Sequence, residues 1–304
     1  MSIGVLGTDI LRDFETVASM YASKYRGKTI LVKFGGEIVL NQPALTELLK
    51  EAITLKNFGA NIILLHGGGT QITQKLKEAN LYQDLVNGVR PTSMEALKIT
   101  HECLSAINLT IVNELHRIAS GLGSDIRAVG LSGNDGGLMI ARPHHKMPNS
   151  RTGEVFQVNP KYLKGILSAG LIPVIHPICL GLDGANFNVN ADDAAAALGA
   201  ALKVARLIFM SDTYVYDADK KRITQIYIED IPSLISDGVI KGGMIAKLEA
   251  AARVIKQGVG GVAILDGKDL TALRTEILTD EGAGTLILKR PPSLILPKQH
   301  NNLG

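Results

Sequence analysis

Short apolar runs alternate with longer amphipathic stretches along most of this 304-residue chain. The runs 29–34 and 61–66 are strand-length and almost continuously apolar, whereas 43–57 repeats apolar residues every three or four positions. Strands that are buried on both faces and alternate with helices are typical of a mostly parallel sheet covered on both sides. The pattern therefore predicts an α/β fold, a three-layer αβα sandwich around an open sheet.

The same periodicity assigns most of the chain to elements. Strands are predicted at 29–34, 61–66, 126–131, 171–175, 206–211 and 261–265. Helices are predicted at 9–25, 43–57, 94–119, 159–169, 191–202 and 244–257, with one more after the glycines at 67–69. Hairpins or long loops are expected at 80–92, 138–158 and 179–188. No linker composition separates two halves, so two lobes that meet near residue 176 are expected to share one sheet.

The two ends of the chain differ from the interior. The apolar stripe of the helix at 9–25 packs either on its own domain or on a second subunit, and periodicity alone favours neither. The N-terminus also lacks the continuous apolar segment of a secretory signal. The proline-containing tail 291–304 is expected to be poorly ordered.

Charge and composition exclude several classes of function. The net charge is +3 and the basic residues are dispersed, which is unlike a nucleic-acid arm or a membrane-binding patch. Cys103 and Cys179 are far apart and have no metal-like spacing, so a reducing, cytoplasmic compartment and no resident metal are expected. No apolar run is long enough to span a membrane.

Glycine turns follow the first two predicted strands. Lys33 lies near the end of the first strand, directly before Gly35 and Gly36, and Gly67, Gly68 and Gly69 follow the second. Ligands bind beyond the carboxyl ends of parallel strands, and glycine loops offer backbone N–H groups to anions there. A solvent-facing lysine and a plain tight turn are the alternatives, but together the two turns predict an anion site.

Further candidates stand at helix starts and loops. Asn188, Asn190 and Asp192 precede or open an alanine-rich helix; N-capping explains one of them, and close packing predicts that Asp192 is largely buried beside a cation. Lys247 follows a glycine pair, and Arg90 lies in a predicted hairpin, although each has a solvated alternative. A nucleotide is expected near the later strands, at Asp212, Tyr214, Asp217, Gly242 and Gly243.

Two familiar nucleotide motifs are ruled out. Gly27-Lys28-Thr29 lacks the earlier glycine of a P-loop and precedes a strand instead of a helix. Gly258-x-Gly260-x-x-Ala263 runs from a helix into a strand, which is the wrong order for a dinucleotide turn.

In sequence order, these segments resemble the amino acid kinase family, and most of all its branch that phosphorylates N-acetyl-L-glutamate with ATP and Mg²⁺. The resemblance runs from about residue 27 to 288. It rests on the segments 27–36, 66–69, 87–92, 130–133, 172–178, 188–192, 242–247 and 279–282. It implies an acyl-acceptor lobe at 27–175 and an ATP lobe at 176–290.

The resemblance also implies residue roles. Lys33 and Lys247 would stabilise the transferring phosphoryl group, and Asp192 would orient both lysines. Backbone N–H groups would come from the glycines, and the acceptor would be held by a small set of side chains and backbone groups. That set comprises Gly67, Gly68, Arg90, Asn188 and Asn190, while Gly35, Gly36 and Gly69 would face phosphate.

Partners follow from the same resemblance. The helix within 1–26 resembles that of hexameric members, so a homo-oligomer is expected, either a hexamer built as a trimer of dimers or a dimer. Tyr21, Glu281 and Gly284 would form an arginine effector site, and the PII nitrogen regulator is a candidate partner. The alternatives are another acceptor, such as an acetylaminoadipate or aspartate, and a non-catalytic arginine sensor of the same fold.

Overall fold

The computed structural model describes residues 23–86, 89–211, 214–217, 219–241, 243–279 and 282–291. Within these ranges the strands are β1 (Thr29–Phe34), β2 (Asn61–His66), β3 (Ala128–Ser132), β4 (Met139–Pro143), β5 (Thr152–Val158), β6 (Ile172–His176), β7 (Ile178–Gly181), β8 (Asn186–Val189), β9 (Arg206–Ser211), β10 (Gln225–Tyr227), β11 (Val262–Asp266) and β12 (Thr285–Leu288). The helices are α1 (Gly36–Leu40), α2 (Gln42–Asn57), α3 (Gly69–Glu78), α4 (Met94–Gly121), α5 (Pro160–Ser168), α6 (Ala191–Leu202), α7 (Ile231–Ser236), α8 (Gly243–Lys256) and α9 (Ala272–Leu278).

One eight-stranded sheet runs through the molecule in the order β10-β12-β11-β9-β1-β2-β6-β3. Neighbouring strands are parallel except β11 and β12, which pair antiparallel. Strands from both halves of the chain therefore join one sheet. This confirms the predicted mostly parallel α/β fold, whereas the assignment of the halves to separate ligands stays a prediction.

Successive side chains of β1 point to opposite faces of the sheet, which shows why the fold has three layers. Ile30 and Val32 contribute to the apolar core on one side of the sheet, and Leu31 contributes to the core on the other side. All three are fully buried. Successive side chains of a strand point to opposite faces, so a strand without polar alternation needs helices on both sides.

The segments predicted as hairpins or long loops contain more structure than expected. The hairpin of β4 and β5 and the hairpin of β7 and β8 close on each other as a four-stranded barrel in the order β4-β5-β8-β7. The register places Thr152 opposite Asn188 across β5 and β8. The barrel stands beside the carboxyl end of β6, which leads directly into β7.

Most predicted elements are confirmed to within two residues at each end, and five short elements were not predicted. The five are α1, α7, α9, β10 and β12. The predicted helix at 9–25 is described only at 23–25, where it is helical, and the predicted tail is described only at residue 291. In the described part of the chain, every helix is too short or too polar to cross a membrane.

Candidate active site

A cleft of about 260 Å³ opens at the carboxyl ends of β1 and β2, between the main sheet and the barrel. Residues from several distant segments meet here. Ten of the residues predicted for the site line it, namely Lys33, Gly35, Gly36, Gly67, Gly68, Gly69, Arg90, Asn188, Asn190 and Asp192. The cleft therefore brings together both glycine turns, a lysine, an arginine and a carboxylate.

The lysine and the carboxylate form a close ion pair. Lys33 Nζ lies 2.7 Å from Asp192 Oδ1, which joins β1 to the first turn of α6. The Lys33 side chain is 16% exposed, because it extends from an interior strand between the buried residues Val32 and Phe34. The expectation that Asp192 is largely buried is wrong: its side chain is 42% exposed, since the first turn of α6 borders the open cleft.

The second glycine turn joins β2 to α3. The Gly67 N–H donates to the Phe34 carbonyl at 2.9 Å, so the expected free donor at this position is already used within the fold. Gly68 is the N-cap of α3, and a Cβ there would lie 2.8 Å from Ile107 Cδ1 on α4. A side chain at 68 would therefore crowd the apolar side chains of α4, and the N-terminus of α3 faces the cleft with unsatisfied N–H groups.

The first glycine turn is fixed against the second. Gly36 opens α1, and the Gln71 side chain on α3 donates to its carbonyl at 2.8 Å. A Cβ on Gly36 would collide with the Gln71 side-chain oxygen and would lie 3.0 Å from the Gly68 Cα. The two turns can approach this closely only because neither carries a side chain at the contact.

Arg90 lies on the opposite side of the cleft, where one end of its guanidinium is held. Nη2 donates to Thr73 Oγ1 at 2.8 Å and to the Gly69 carbonyl at 3.2 Å. Nη1 is buried and has no hydrogen-bond partner among the described residues. Burial lowers the pKa of Arg90, but an arginine stays protonated at neutral pH. The site therefore holds a charged donor ready for an acceptor oxygen.

The side chains of Asn188 and Asn190 have different hydrogen-bond partners. The side-chain oxygen of Asn190 accepts from the Asp192 N–H at 2.7 Å and from the Asp193 N–H at 3.4 Å, which is an N-cap of α6. Asn188 Nδ2 donates to Thr92 Oγ1 at 3.1 Å. The capping alternative thus holds for Asn190, and its amide nitrogen is the group that remains for a ligand.

Lys247 lies beside the cleft and not in its lining. Its Nζ donates to Ser211 Oγ at 2.8 Å, at the carboxyl end of β9. Because β9 pairs with β1, both lysines reach the same edge of the sheet. Among the described carboxylates, Asp192 pairs with Lys33 and not with Lys247, so the expected orientation of both lysines by Asp192 is present for only one of them.

Comparison with known proteins decides the family. Residues 28–266 match the amino acid kinase family. The chain belongs to the amino acid kinase family. The acetylglutamate kinase of Desulforamulus reducens is 35% identical over 88% of this chain and 94% of its own length, and that of Pelotomaculum thermopropionicum is 37% identical over 88% and 95%.

A solved structure shares the fold. N-acetylglutamate synthase from Neisseria gonorrhoeae, complexed with coenzyme A and L-arginine, superposes with a TM-score of 0.80 at 21% identity. The match covers 90% of this chain and 64% of that one, just under two thirds of its length. At this identity the likeness concerns the fold alone.

Of the residues predicted only for the nucleotide, the structure describes Tyr214, Asp217 and Gly243. Asp217 accepts the backbone N–H groups of Asp219 and Lys221 through Oδ1, so its carboxylate stabilises a tight turn. Burial, and then the nearby carboxylates of Asp266 and Asp269, raise the pKa of Tyr214. Gly243 begins α8, whereas Asp212 and Gly242 lie outside the described residues.

His66, next to the second glycine turn, is a packed residue. It is fully buried, and its ring contacts the Gly67 carbonyl at 3.1 Å and Asn108 Nδ2 at 3.1 Å. Burial lowers the pKa of His66 to about 4, outweighing the hydrogen bond at Gly67. The ring is therefore neutral at pH 7 and packs against the second glycine turn through the Gly67 carbonyl.

Thr92 and Thr152 are site residues that sequence reasoning missed. Both hydroxyls donate to the Arg90 carbonyl, at 3.0 and 2.8 Å, and Thr92 also accepts from Asn188. Threonine in a strand or a loop carries no distinctive signal. Only the closure of the barrel, which sets β5 beside β8, brings these groups together.

The three residues predicted for an effector are only partly described. Tyr21 and Glu281 lie outside the described residues. A Cβ on Gly284 would collide with the Ile264 carbonyl on β11, so close strand packing explains this glycine without any ligand.

Proposed function

We propose that this protein transfers the γ-phosphoryl group of ATP to the side-chain carboxylate of N-acetyl-L-glutamate, which gives an acyl phosphate for arginine biosynthesis. The relatives named acetylglutamate kinase, which align with nearly the whole chain, support this proposal. The observation that carries it is the Lys33–Asp192 pair across a cleft from a buried guanidinium nitrogen without a partner. Such a cleft offers one cation to a phosphoryl group and another to a carboxylate.

The chemistry needs no general base. A side-chain carboxylate is already ionised at pH 7, so it can attack phosphorus without losing a proton. The protein must align the two substrates and stabilise negative charge on the transferring oxygens. This requirement fits a cleft built from lysine, glycine turns and a helix N-terminus, with the nearby histidine held neutral.

The phosphoryl group would lie at the carboxyl end of β1. Lys33 Nζ would neutralise its oxygens while Asp192 holds the ammonium group in place, with the N–H groups of Gly35, Gly36 and Gly69 as further donors. Lys247 would supply a second charge from the end of β9. Its Nζ donates a hydrogen bond to Ser211 in this structure. A side-chain rotation toward bound nucleotide would bring the ammonium group to the phosphates.

The acceptor would occupy the barrel side of the cleft. Arg90 Nη1 would bind its α-carboxylate, a contact that supplies the missing acceptor of a buried donor. Asn188 and Asn190 would bind the acetamide and carboxylate groups through their amides. Gly67 and Gly68 would form the wall on which the acceptor chain lies, the first through close approach and not through its N–H.

The nucleotide would bind over 176–290. Tyr214 and the start of α8 at Gly243 would contact it, together with Asp212 and Gly242, and Asp217 would shape the adjoining turn. Mg²⁺ would enter on the nucleotide phosphates, where it neutralises charge between the β- and γ-phosphoryl groups. Residues 27–175 would then form the acceptor lobe.

The decisive experiment measures acyl phosphate by hydroxylamine trapping with a panel of acceptors. We expect turnover with N-acetyl-L-glutamate and ATP–Mg²⁺, and little with N-acetylaminoadipate or aspartate. Turnover with aspartate alone would reject the proposed acceptor. The absence of turnover with every acceptor, while ATP binds, would favour a non-catalytic arginine sensor of the same fold.

Assembly and regulation are further parts of this proposal. We propose a homo-oligomer, a hexamer or a dimer, through residues 1–26, arginine as effector, PII as a candidate partner and a cytoplasmic location. A cleft of about 220 Å³ that Lys24, Tyr25 and Thr279 help to line supports the effector proposal, because the buried residues Arg206 and Glu276 offer both charges to an amino-acid ligand there. Turnover and sizing-column elution, each with and without arginine, would test effector and assembly together, and co-elution would test PII.

A further inference from the structure

A second group of ligating side chains lies outside the cleft, at the loop end of the β4–β5 hairpin. Within the described ranges, His144, His145 and Glu154 each place a ligand atom within 4.8 Å of the other two. The strands pair antiparallel with Pro143 opposite Gly153. The two histidines that follow β4 are thereby brought beside the carboxylate on β5.

One histidine of this group is buried and the other is exposed. His145 Nδ1 lies 2.9 Å from Glu154 Oε2, and the two histidine rings stack with centroids 4.5 Å apart. His144 is 8% exposed, while the His145 side chain is 63% exposed. An ion could therefore enter from solvent on the His145 side and reach a buried nitrogen behind it.

The carboxylate of Glu154 has one oxygen to offer. Arg142 Nε holds Oε1 of Glu154 at 2.7 Å, which leaves Oε2 toward His145. Since Arg142 already neutralises the carboxylate, a salt bridge does not by itself explain two clustered histidines.

We propose that His144, His145 and Glu154 bind a divalent transition-metal ion of the zinc type, with water completing its coordination. Imidazole nitrogen with one carboxylate oxygen is a donor set that Zn²⁺ accepts readily, whereas Mg²⁺ prefers oxygen alone. The ion would replace the hydrogen bond between His145 and Glu154 and, when bound at His144 Nδ1, would displace the hydrogen bond from the Lys146 N–H at 3.2 Å.

A bound metal ion would link two strands of the barrel. It would join the end of β4 to β5, the strand whose first residue, Thr152, holds the Arg90 carbonyl. The metal would thus act as a structural clip beside the acceptor side of the cleft.

The test uses the full-length protein without a histidine tag, stripped with a chelator and titrated with Co²⁺ and then Zn²⁺. We expect one equivalent of Co²⁺ with the visible absorption of a low-coordinate ion, displaced by Zn²⁺. His145→Ala and Glu154→Gln should each weaken binding by at least about tenfold, the lower end of what even an outer-sphere partner costs. The double variant His101→Ala/Glu102→Gln removes a histidine and a glutamate of α4 and should bind like wild type.

A second readout separates metal binding from loss of fold. Zn²⁺ should raise the thermal midpoint of the wild-type and control proteins but not that of the cluster variants, whose metal-free midpoints should match wild type. Sub-stoichiometric Co²⁺ binding, or equal affinity in wild-type and cluster variants, would overturn the proposal. Neither readout depends on phosphoryl transfer, so the outcome is independent of the proposed activity.

Discussion

Removing the charge of Lys33 tests the core of the proposed mechanism. Lys33→Met keeps the length and apolar stem of the side chain in the interior strand β1 and deletes only the ammonium group. That group lies 2.7 Å from Asp192 and belongs to the lining of the cleft. The change therefore acts on charge at the cleft and leaves the packing around Val32 and Phe34 intact.

The expected loss is large because the lost contact strengthens as charge moves in the transition state. A unit charge about 4 Å from a charged oxygen contributes ~4 kcal/mol at an effective dielectric constant near 20. Each 1.36 kcal/mol corresponds to about tenfold in rate, and loss of one such donor typically costs about 10² to 10³ in kcat. We expect kcat of Lys33→Met to fall by about 10² to 10³, with smaller changes in KM.

Stability should barely change, which separates the two roles of Lys33. Asp192 Oδ1 itself is buried, but 42% of the Asp192 side chain is exposed, so water can reach the carboxyl group from the open cleft when the lysine is gone. A pair with one partner this exposed contributes about 1 kcal/mol to folding. Lys33→Met should therefore denature close to wild type while failing in turnover.

The assay is hydroxylamine trapping of the acyl phosphate, with ADP release followed in parallel. Lys28→Met is the matched control, because it removes an exposed lysine just before the same strand. Lys33→Met/Asp192→Asn shows how much of the loss comes from the carboxylate left without its cation. A folded Lys33→Met protein that keeps kcat within about threefold of wild type would refute the role given to this lysine.

Three further changes test other parts of the structure. Arg90→Lys should raise the KM for the acceptor about ten- to a hundredfold while Arg117→Lys does not, since Arg90, unlike Arg117, has a buried donor without a partner among the described residues. Gly68→Ala should destabilise the protein by ~1–3 kcal/mol in denaturant titration, whereas Gly69→Ala, with no atom within 4 Å of a new Cβ, should be near neutral. Burial raises the pKa of Glu51 from 4.5 to about 7; the folded state retains a proton that the unfolded chain releases, so stability should fall from pH 4.5 to 7, and less in Glu51→Gln.

The strands and long helices were predictable because their burial produces a clear pattern of apolar residues in the sequence. β1 has a continuous apolar run and α2 a clear apolar stripe, and both were placed within one residue. The short elements were not predictable for the opposite reason. α1 and α7 have five and six residues, too few to show a helical period, and tertiary packing alone decides their conformation.

The site was predictable where backbone geometry determines it. Glycines directly after parallel strands must lie at one edge of the sheet, so the two turns and Lys33 had to meet. The exposure of Asp192 was predicted wrongly. The alanines indicate close packing along the length of α6, but they do not determine whether its first turn is covered. The link from Lys247 to Ser211 spans 36 positions and has no sequence pattern of its own.

The two sides of the cleft are held by different parts of the fold, and this difference bears on how the substrates can meet. Lys33 is fixed by pairing of β1 with strands on both sides. Arg90 is held at two points: its carbonyl accepts from Thr92 and from Thr152 of the barrel, and its guanidinium donates to Gly69 and Thr73 of α3. A shift of the barrel against the sheet would therefore move the Arg90 backbone while its guanidinium remains bonded to α3, which changes how a bound carboxylate is presented to the phosphoryl group. Alignment of the reacting atoms is thus a property of the barrel–sheet contact as well as of the residues that touch the substrates.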